Sequence, residues 1–149
     1  MFRFYDFPTL NDGVIYLKVE EKRPANKIKG YVPSYLCGIY LCENNLKVGF
    51  IDIRIGHTKG IYYGGNIGYT VFEDFRGNNY AGKACILIKE IAKKHEMKKL
   101  YITCNPDNYQ SKRVLEKLGL KLLEIAKLPP DNDMYLDGER EKCIFEWVI

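Results

Sequence analysis

The segment Arg76-Gly77-Asn78-Asn79-Tyr80-Ala81-Gly82 gathers residue types that capture an anion through the backbone. It separates an apolar run, Asn66–Phe72, from a stretch with helical periodicity. Gly77 and Gly82 let main chain approach a ligand closely, and Asn78 and Asn79 tolerate left-handed conformations. The N–H groups in the first turn of a helix lack intrahelical partners, point outward together and sit at the positive end of the helix dipole. Arg76 adds a permanent positive charge that suits phosphate. The chemistry implied is a cradle for phosphate or pyrophosphate. A tight strand-to-helix connection with no ligand would use the same residue types. The segment matches neither a Walker A loop, GxxxxGK[ST], nor a dinucleotide-binding GxGxxG motif.

Other groups could act on a bound ligand. In Lys47–Ile55, strand alternation sets Gly49, Ile51, Ile53 and Ile55 against Val48, Phe50, Asp52 and Arg54, so Asp52 and Arg54 share a face. They read either as a substrate-binding pair, with Asp52 as a base, or as an ordinary ion pair. His57 lies in a glycine-rich loop and reads as solvated. Five scattered cysteines, with no CxxC and no Cys/His cluster, read as reduced thiols, and no metal site is expected.

The elements that must position these groups follow from periodicity. Val14–Glu20, Tyr35–Cys42, Lys47–Ile55 and Asn66–Phe72 read as strands, with "GHTKGIYYGG" as loop before the last of them. Then Ala81, Ala84, Cys85, Ile88, Ile91, Ala92 and His95 fall on one helical face. Lys99–Cys104 is a strand, and Asn108–Leu118 a helix with Asp107 as its candidate N-cap and Gly119 as its stop. Leu120–Leu128 and Lys142–Val148 are strands flanking the acidic loop "PPDNDMYLDGERE". The expected fold is α/β (α+β): one mixed, mostly antiparallel central sheet of six to seven strands flanked by helices, in one domain over residues 1–149.

The totals bound the classes. A chain of 149 residues, 46% apolar and 28% charged, is an ordinary globular domain able to bury a core without staples. No apolar run reaches the ~18 residues of a membrane span, and the start lacks a signal-peptide pattern, so a cytoplasmic location without membrane partners is expected. The net charge of +4 is mild and its lysines dispersed, so nucleic acid is not an expected partner. If a homodimer forms, Ile144–Val148 with Trp147 reads as an exposed edge strand for the contact.

Two motifs together carry a resemblance. Arg76-Gly77-Asn78-Asn79-Tyr80-Ala81 opening a helix, then Asn108, Ser111 and Lys117-Leu118-Gly119-Leu120 after the next strand, resemble the signatures of the GCN5-related N-acetyltransferase (GNAT) superfamily. The resemblance is strongest from Gly68 to Leu120, and the element order extends it over nearly the whole chain. Where that family carries a glycine at the fourth position of the first motif, this chain has Asn79, which can supply the same positive φ. Where many members carry a tyrosine that protonates the leaving thiolate, this chain has Leu115.

The resemblance implies an acyltransferase that moves an acetyl group from acetyl-CoA to the primary amine of an acceptor in one ternary complex. It implies a splayed strand pair forming the CoA cleft, with Tyr69, Val71 and Phe72 along the pantetheine arm. It places the pyrophosphate on Arg76, Gly77, Asn78, Asn79, Tyr80 and Ala81, with Gly82 behind them. Asn108 and Ser111 face the sulfur end, and Lys112 or Arg113 could meet the 3′-phosphate. Ser111 and Tyr109 are the hydroxyls available for the role that Leu115 cannot fill. The alternative is a catalytically weak module that binds acyl-CoA as a sensor or interaction partner.

Overall fold

The computed structural model describes residues 1–149. The elements run β1 (Leu10–Asn11), β2 (Ile15–Arg23), β3 (Ser34–Leu41), β4 (Lys47–Arg54), α1 (Lys59–Gly64) and β5 (Ile67–Val71), then a single 3-10 turn at Glu73–Phe75. They continue with α2 (Tyr80–Lys94), β6 (Lys99–Cys104), α3 (Tyr109–Lys117), β7 (Lys121–Lys127), α4 (Asp133–Leu136) and β8 (Glu141–Val148). Strands β1 to β5 form an antiparallel five-stranded sheet in chain order, and β6, β8 and β7 form a second sheet in that spatial order.

This corrects the expected single sheet of six to seven strands: eight strands divide into sheets of five and three. The division falls between β5 and β6, which share no ladder, and β1 is too short for periodicity to reveal. The order also corrects the expected edge. β8 lies between β6 and β7, so Ile144–Val148 is an interior strand and β6 and β7 form the edges.

Smaller differences have local causes. The loop before β5 contains α1, capped where Thr58 Oγ1 accepts from Ile61 N at 3.1 Å, and six residues are too few to display a helical period. The N-cap of α3 is Asn108, one residue beyond Asp107, because its Oδ1 accepts from Ser111 N at 3.1 Å. Both side chains carry a suitable acceptor, so residue type could not separate them. α3 stops at Gly119, whose φ is +82°.

One core serves both sheets. α2 lays Ala84, Cys85, Ile88, Ile91 and Ala92, all fully buried, on the inner face that includes Ile15, Leu17, Ile51 and Ile53. Leu100, Ile102 and Phe145 of the second sheet join the same cluster. Each such aliphatic side chain contributes about 1.5–3 kcal/mol by burial.

Asn66, wholly buried, ties the two sheets together at one end. Its N–H donates to Tyr101 O at 2.6 Å, and its Oδ1 accepts from Tyr101 N at 2.8 Å. Its Nδ2 donates to Arg54 O and Gly56 O, each at 2.9 Å, while its own carbonyl accepts from Arg54 N at 2.7 Å. Past this knot β5 and β6 separate. Asn66→Ala should lower unfolding free energy by about 3 kcal/mol, because it orphans buried backbone groups of both sheets. Urea unfolding with an unchanged m-value is the check.

His95 ends the apolar face of α2, half-buried, stacked on Phe2 at 4.9 Å and bonded through Nε2 to the Tyr35 hydroxyl at 2.7 Å. Burial holds its pKa below the ordinary value of 6.5. The unfolded chain then binds more protons across the window between the two values. Stability should be complete above pH 6.5 and fall as pH drops through 6.5 toward the lowered folded value. His95→Gln should flatten that part of the stability-versus-pH curve.

Candidate active site

The gap between β5 and β6 opens into a cleft of about 580 Å³ walled by β5, the start of α2, and α3. The register determines which backbone groups face it. Arg54 N donates to Asn66 O and Phe72 N to Val48 O, so residues 66, 68, 70 and 72 direct their backbone groups toward β4. Those of Tyr69 and Val71 therefore point into the gap. Val71 O accepts from Arg76 Nε at 3.0 Å, which leaves the Val71 N–H and both backbone groups of Tyr69 without strand partners.

The cradle closes one end of this cleft. No protein group accepts from the backbone N–H of Gly77, Asn78, Asn79, Tyr80, Ala81 or Gly82; the first bonded donor in α2 is Lys83 N, to Asn79 O at 3.1 Å. Two left-handed residues turn this run. Gly77 has φ +88°, and Asn79, at φ +61°, supplies the positive φ expected of it. Arg76, Gly77, Asn79, Tyr80 and Ala81 line the cleft. Asn78 and Gly82 do not: Asn78 Nδ2 donates back to Phe75 O at 3.0 Å, and the Asn79 side chain occupies the space beside the Gly82 α-carbon. Phe72 turns away, meeting Phe50 edge-on at 5.6 Å.

α3 forms the opposite wall with Asn108, Ser111, Arg113 and Lys117. Lys117, named in the second motif but given no role there, lies one helical turn after Arg113, and that i, i+4 spacing signals a shared face. Lys112 and Tyr109 point elsewhere, with the Lys112 ammonium 5.4 Å from the exposed Tyr109 ring. Leu115 is wholly buried in the core. The Tyr69 hydroxyl donates to Ser111 Oγ at 3.2 Å and so bridges the gap. Burial pushes the Tyr69 phenol up to about 12, against a smaller opposing effect of the Ser111 bond.

Tyr69, Asn108 and Ser111 also line a second chamber of about 220 Å³, which continues past Thr103, Cys104, Asn105 and Lys142. Lys142, buried, donates to Glu139 Oε1 at 2.7 Å, and that bond holds the Glu139 carboxyl below its usual range. Burial pushes the Cys104 thiol up to about 11, which suits a small packed side chain better than a nucleophile.

Asp52 lies outside both chambers. It accepts from Arg54 Nε and from Gly68 N, each at 3.1 Å. Arg54 Nη1 donates to Gly64 O at 3.1 Å and Gly65 O at 3.0 Å, so the pair binds β4 to β5 and to the end of α1. A Cβ at Gly68 would stand 2.7 Å from Asp52 Oδ1, so only glycine admits this contact. His57 is exposed, edge-on to Tyr101 at 5.9 Å.

A strand edge opened beside a helix N-terminus is the arrangement that the resemblance in the sequence led us to expect. The acetyltransferase (GNAT) domain family model matches residues 16–121, and the chain belongs to that family. No curated protein matches it in sequence. Among solved structures it resembles RimL, a ribosomal L7/L12 alpha-N-protein acetyltransferase in complex with coenzyme A, with a TM-score of 0.69 and 14% identity over 95% of this chain and 98% of that one. A GNAT-family acetyltransferase from Bacillus anthracis gives a TM-score of 0.60 and 21% identity over 76% of this chain. The microcin C7 self-immunity acetyltransferase MccE, in complex with acetyl-CoA and AMP, gives 0.61 and 20% over 78%. The chain spans 65% of the Bacillus anthracis protein's length and 61% of the MccE chain. At these identities the likeness is one of fold.

The left-handed residue at the cradle predicts an asymmetry. Asn79→Gly should keep thermal stability close to wild type, whereas Asn79→Val should cost about 1–2 kcal/mol, since a β-branched residue resists positive φ. Denaturation of both variants measures it.

Proposed function

We propose that the protein transfers an acetyl group from acetyl-CoA directly to a primary amine, with both substrates bound together. The observation that carries this reading is the continuity of two unsatisfied surfaces: the free edge of β5 and the unbonded N–H run of Gly77 to Gly82. A ligand that satisfies both has a linear amide-bearing arm ending in a pyrophosphate, as coenzyme A does. The pyrophosphate would sit on the cradle beside Arg76, and the arm would pair with Tyr69 and Val71. A β5 backbone N–H left free by the arm would polarise the thioester carbonyl and stabilise the oxyanion formed on amine attack. Arg113 and Lys117 offer charge to the 3′-phosphate. The amine would approach through the second chamber, beside Ser111 and Asn108. Asp52 serves this reading as a support for β5.

The burial of Leu115 favours a second reading, an acyl-CoA-binding module with little transfer activity. Acceptor-dependent release of CoA with any of several small amines would exclude it.

Acetyl-CoA should raise the melting temperature, with ADP as a fragment control. A ligand specific for the native state stabilises by ~2.7 kcal/mol at about 100 times its Kd. The shift should disappear in a double variant Arg76→Ala, Gly77→Val. No shift with wild type at millimolar acetyl-CoA would remove the cofactor and with it the acetyltransferase reading.

A further inference from the structure

Acetyl transfer from a thioester to an amine moves one proton as well as the acetyl group. Attack forms the C–N bond and leaves a positively charged nitrogen that still carries the surplus proton. Collapse breaks the C–S bond and leaves a thiolate. The nitrogen must lose a proton and the sulfur must gain one. Enzymes usually assign these tasks to a separate base and acid.

This cleft offers no carboxylate or imidazole for either task. Neither chamber is lined by an aspartate, a glutamate or a histidine. Asp52 is committed to Arg54 and Gly68, and Leu115 has no proton to give. What the two chambers share is Asn108 and a hydrogen-bonded pair of hydroxyls, Tyr69 and Ser111. Tyr69 donates and Ser111 accepts, so the Ser111 proton is free to point at an atom in the cleft. The Tyr69 oxygen keeps lone pairs free to accept.

We propose, on the acetyltransferase reading above, that Tyr69 and Ser111 form a proton relay from the attacking nitrogen to the departing sulfur. Ser111 Oγ gives its proton to the thiolate. Tyr69 gives its proton to Ser111 Oγ. The Tyr69 oxygen takes the surplus proton from the nitrogen. Each oxygen ends protonated, with the bond between the two hydroxyls reversed until they rotate back, and the net change is one N–H bond lost and one S–H bond gained. Neither oxygen needs to ionise. Burial of Tyr69, which opposes phenolate formation, is therefore compatible with the step. The relay places acid and base work on one bonded pair and needs no tyrosine at position 115.

The test uses hydroxylamine, a small neutral nucleophile, as the acceptor probe. CoA thiol release from acetyl-CoA is followed with a thiol reagent and compared with the protein-free rate. Tyr69→Phe and Ser111→Ala should each lower kcat about 100-fold, the lower range of proton-transfer catalysis. The KM for acetyl-CoA and its thermal shift should stay within about twofold, a split that loss of packing would not produce. The double variant should be little slower than the slower single one, because either change breaks the whole relay. Ser111→Thr, which keeps the hydroxyl, should retain most of the rate. Tyr69→Phe within about threefold of wild type, or losses that multiply in the double variant, would overturn the relay while acetyl-CoA binding stands. Wild type that binds acetyl-CoA without accelerating release would also overturn it. Wild type that neither binds nor accelerates would bring down the acetyltransferase reading, and the thermal shift separates these two cases.

Discussion

The buried side chain of Asn66 is the constraint on which the rest depends. An asparagine amide in a core is tolerated only if its donors and acceptor are satisfied. Here they are satisfied by backbone from both sheets, Tyr101 on one side and Arg54 and Gly56 on the other. The same bonds pin β5 and β6 at one end and take the place that a continuing ladder would occupy. The strands can then diverge, and the backbone of Tyr69 and Val71 is left facing an opening instead of a neighbour.

That arrangement makes main chain the principal ligand-facing material. The edge of β5 and the first turn of α2 contribute donors whose positions are set by secondary structure, with no side-chain entropy to lose on binding. Side chains do the supporting work. Asp52 and Arg54 hold β5 to β4 and to the end of α1, and the Arg76 guanidinium anchors the turn to Val71 O. The apolar face of α2 fixes the direction of the cradle by burying Ala84, Ile88 and Ile91 beneath it. Stability and function meet in one helix, whose buried face serves the core and whose N-terminus serves the cleft.

Much of this was legible in the sequence, and the reasons differ by feature. The period of Ala81 to His95 revealed α2 because burial on one face leaves a repeat. The pairing of glycine and asparagine before it revealed the turn, and Asn79 adopts the positive φ that its short polar side chain permits. Separation of the sheets was not legible, because β5 and β6 are each ordinary strands, and Asn66, which bonds to Tyr101 where they meet, reads locally as a strand residue. The edge identity of β7 was hidden for a related reason: strand order is a tertiary property, and β8 inserts between two strands that precede it in the chain. Asp52 and Arg54 were correctly placed on one face, but only the backbone of Gly64, Gly65 and Gly68 shows how their bonds are spent. The bond between Tyr69 and Ser111 joins residues 42 apart and left no local signal.

The most direct measurement is an acetyl-CoA titration followed by the backbone amide resonances of isotope-labelled protein. The amides of Val71 and of Gly77 through Gly82 should shift together, with one common Kd, while those of the outer strands β1 and β7 stay unchanged. Saturable shifts elsewhere with Val71 and the cradle unmoved, or no saturable shift at all, would contradict the claim that the parted strands and the α2 N-terminus form the cofactor site.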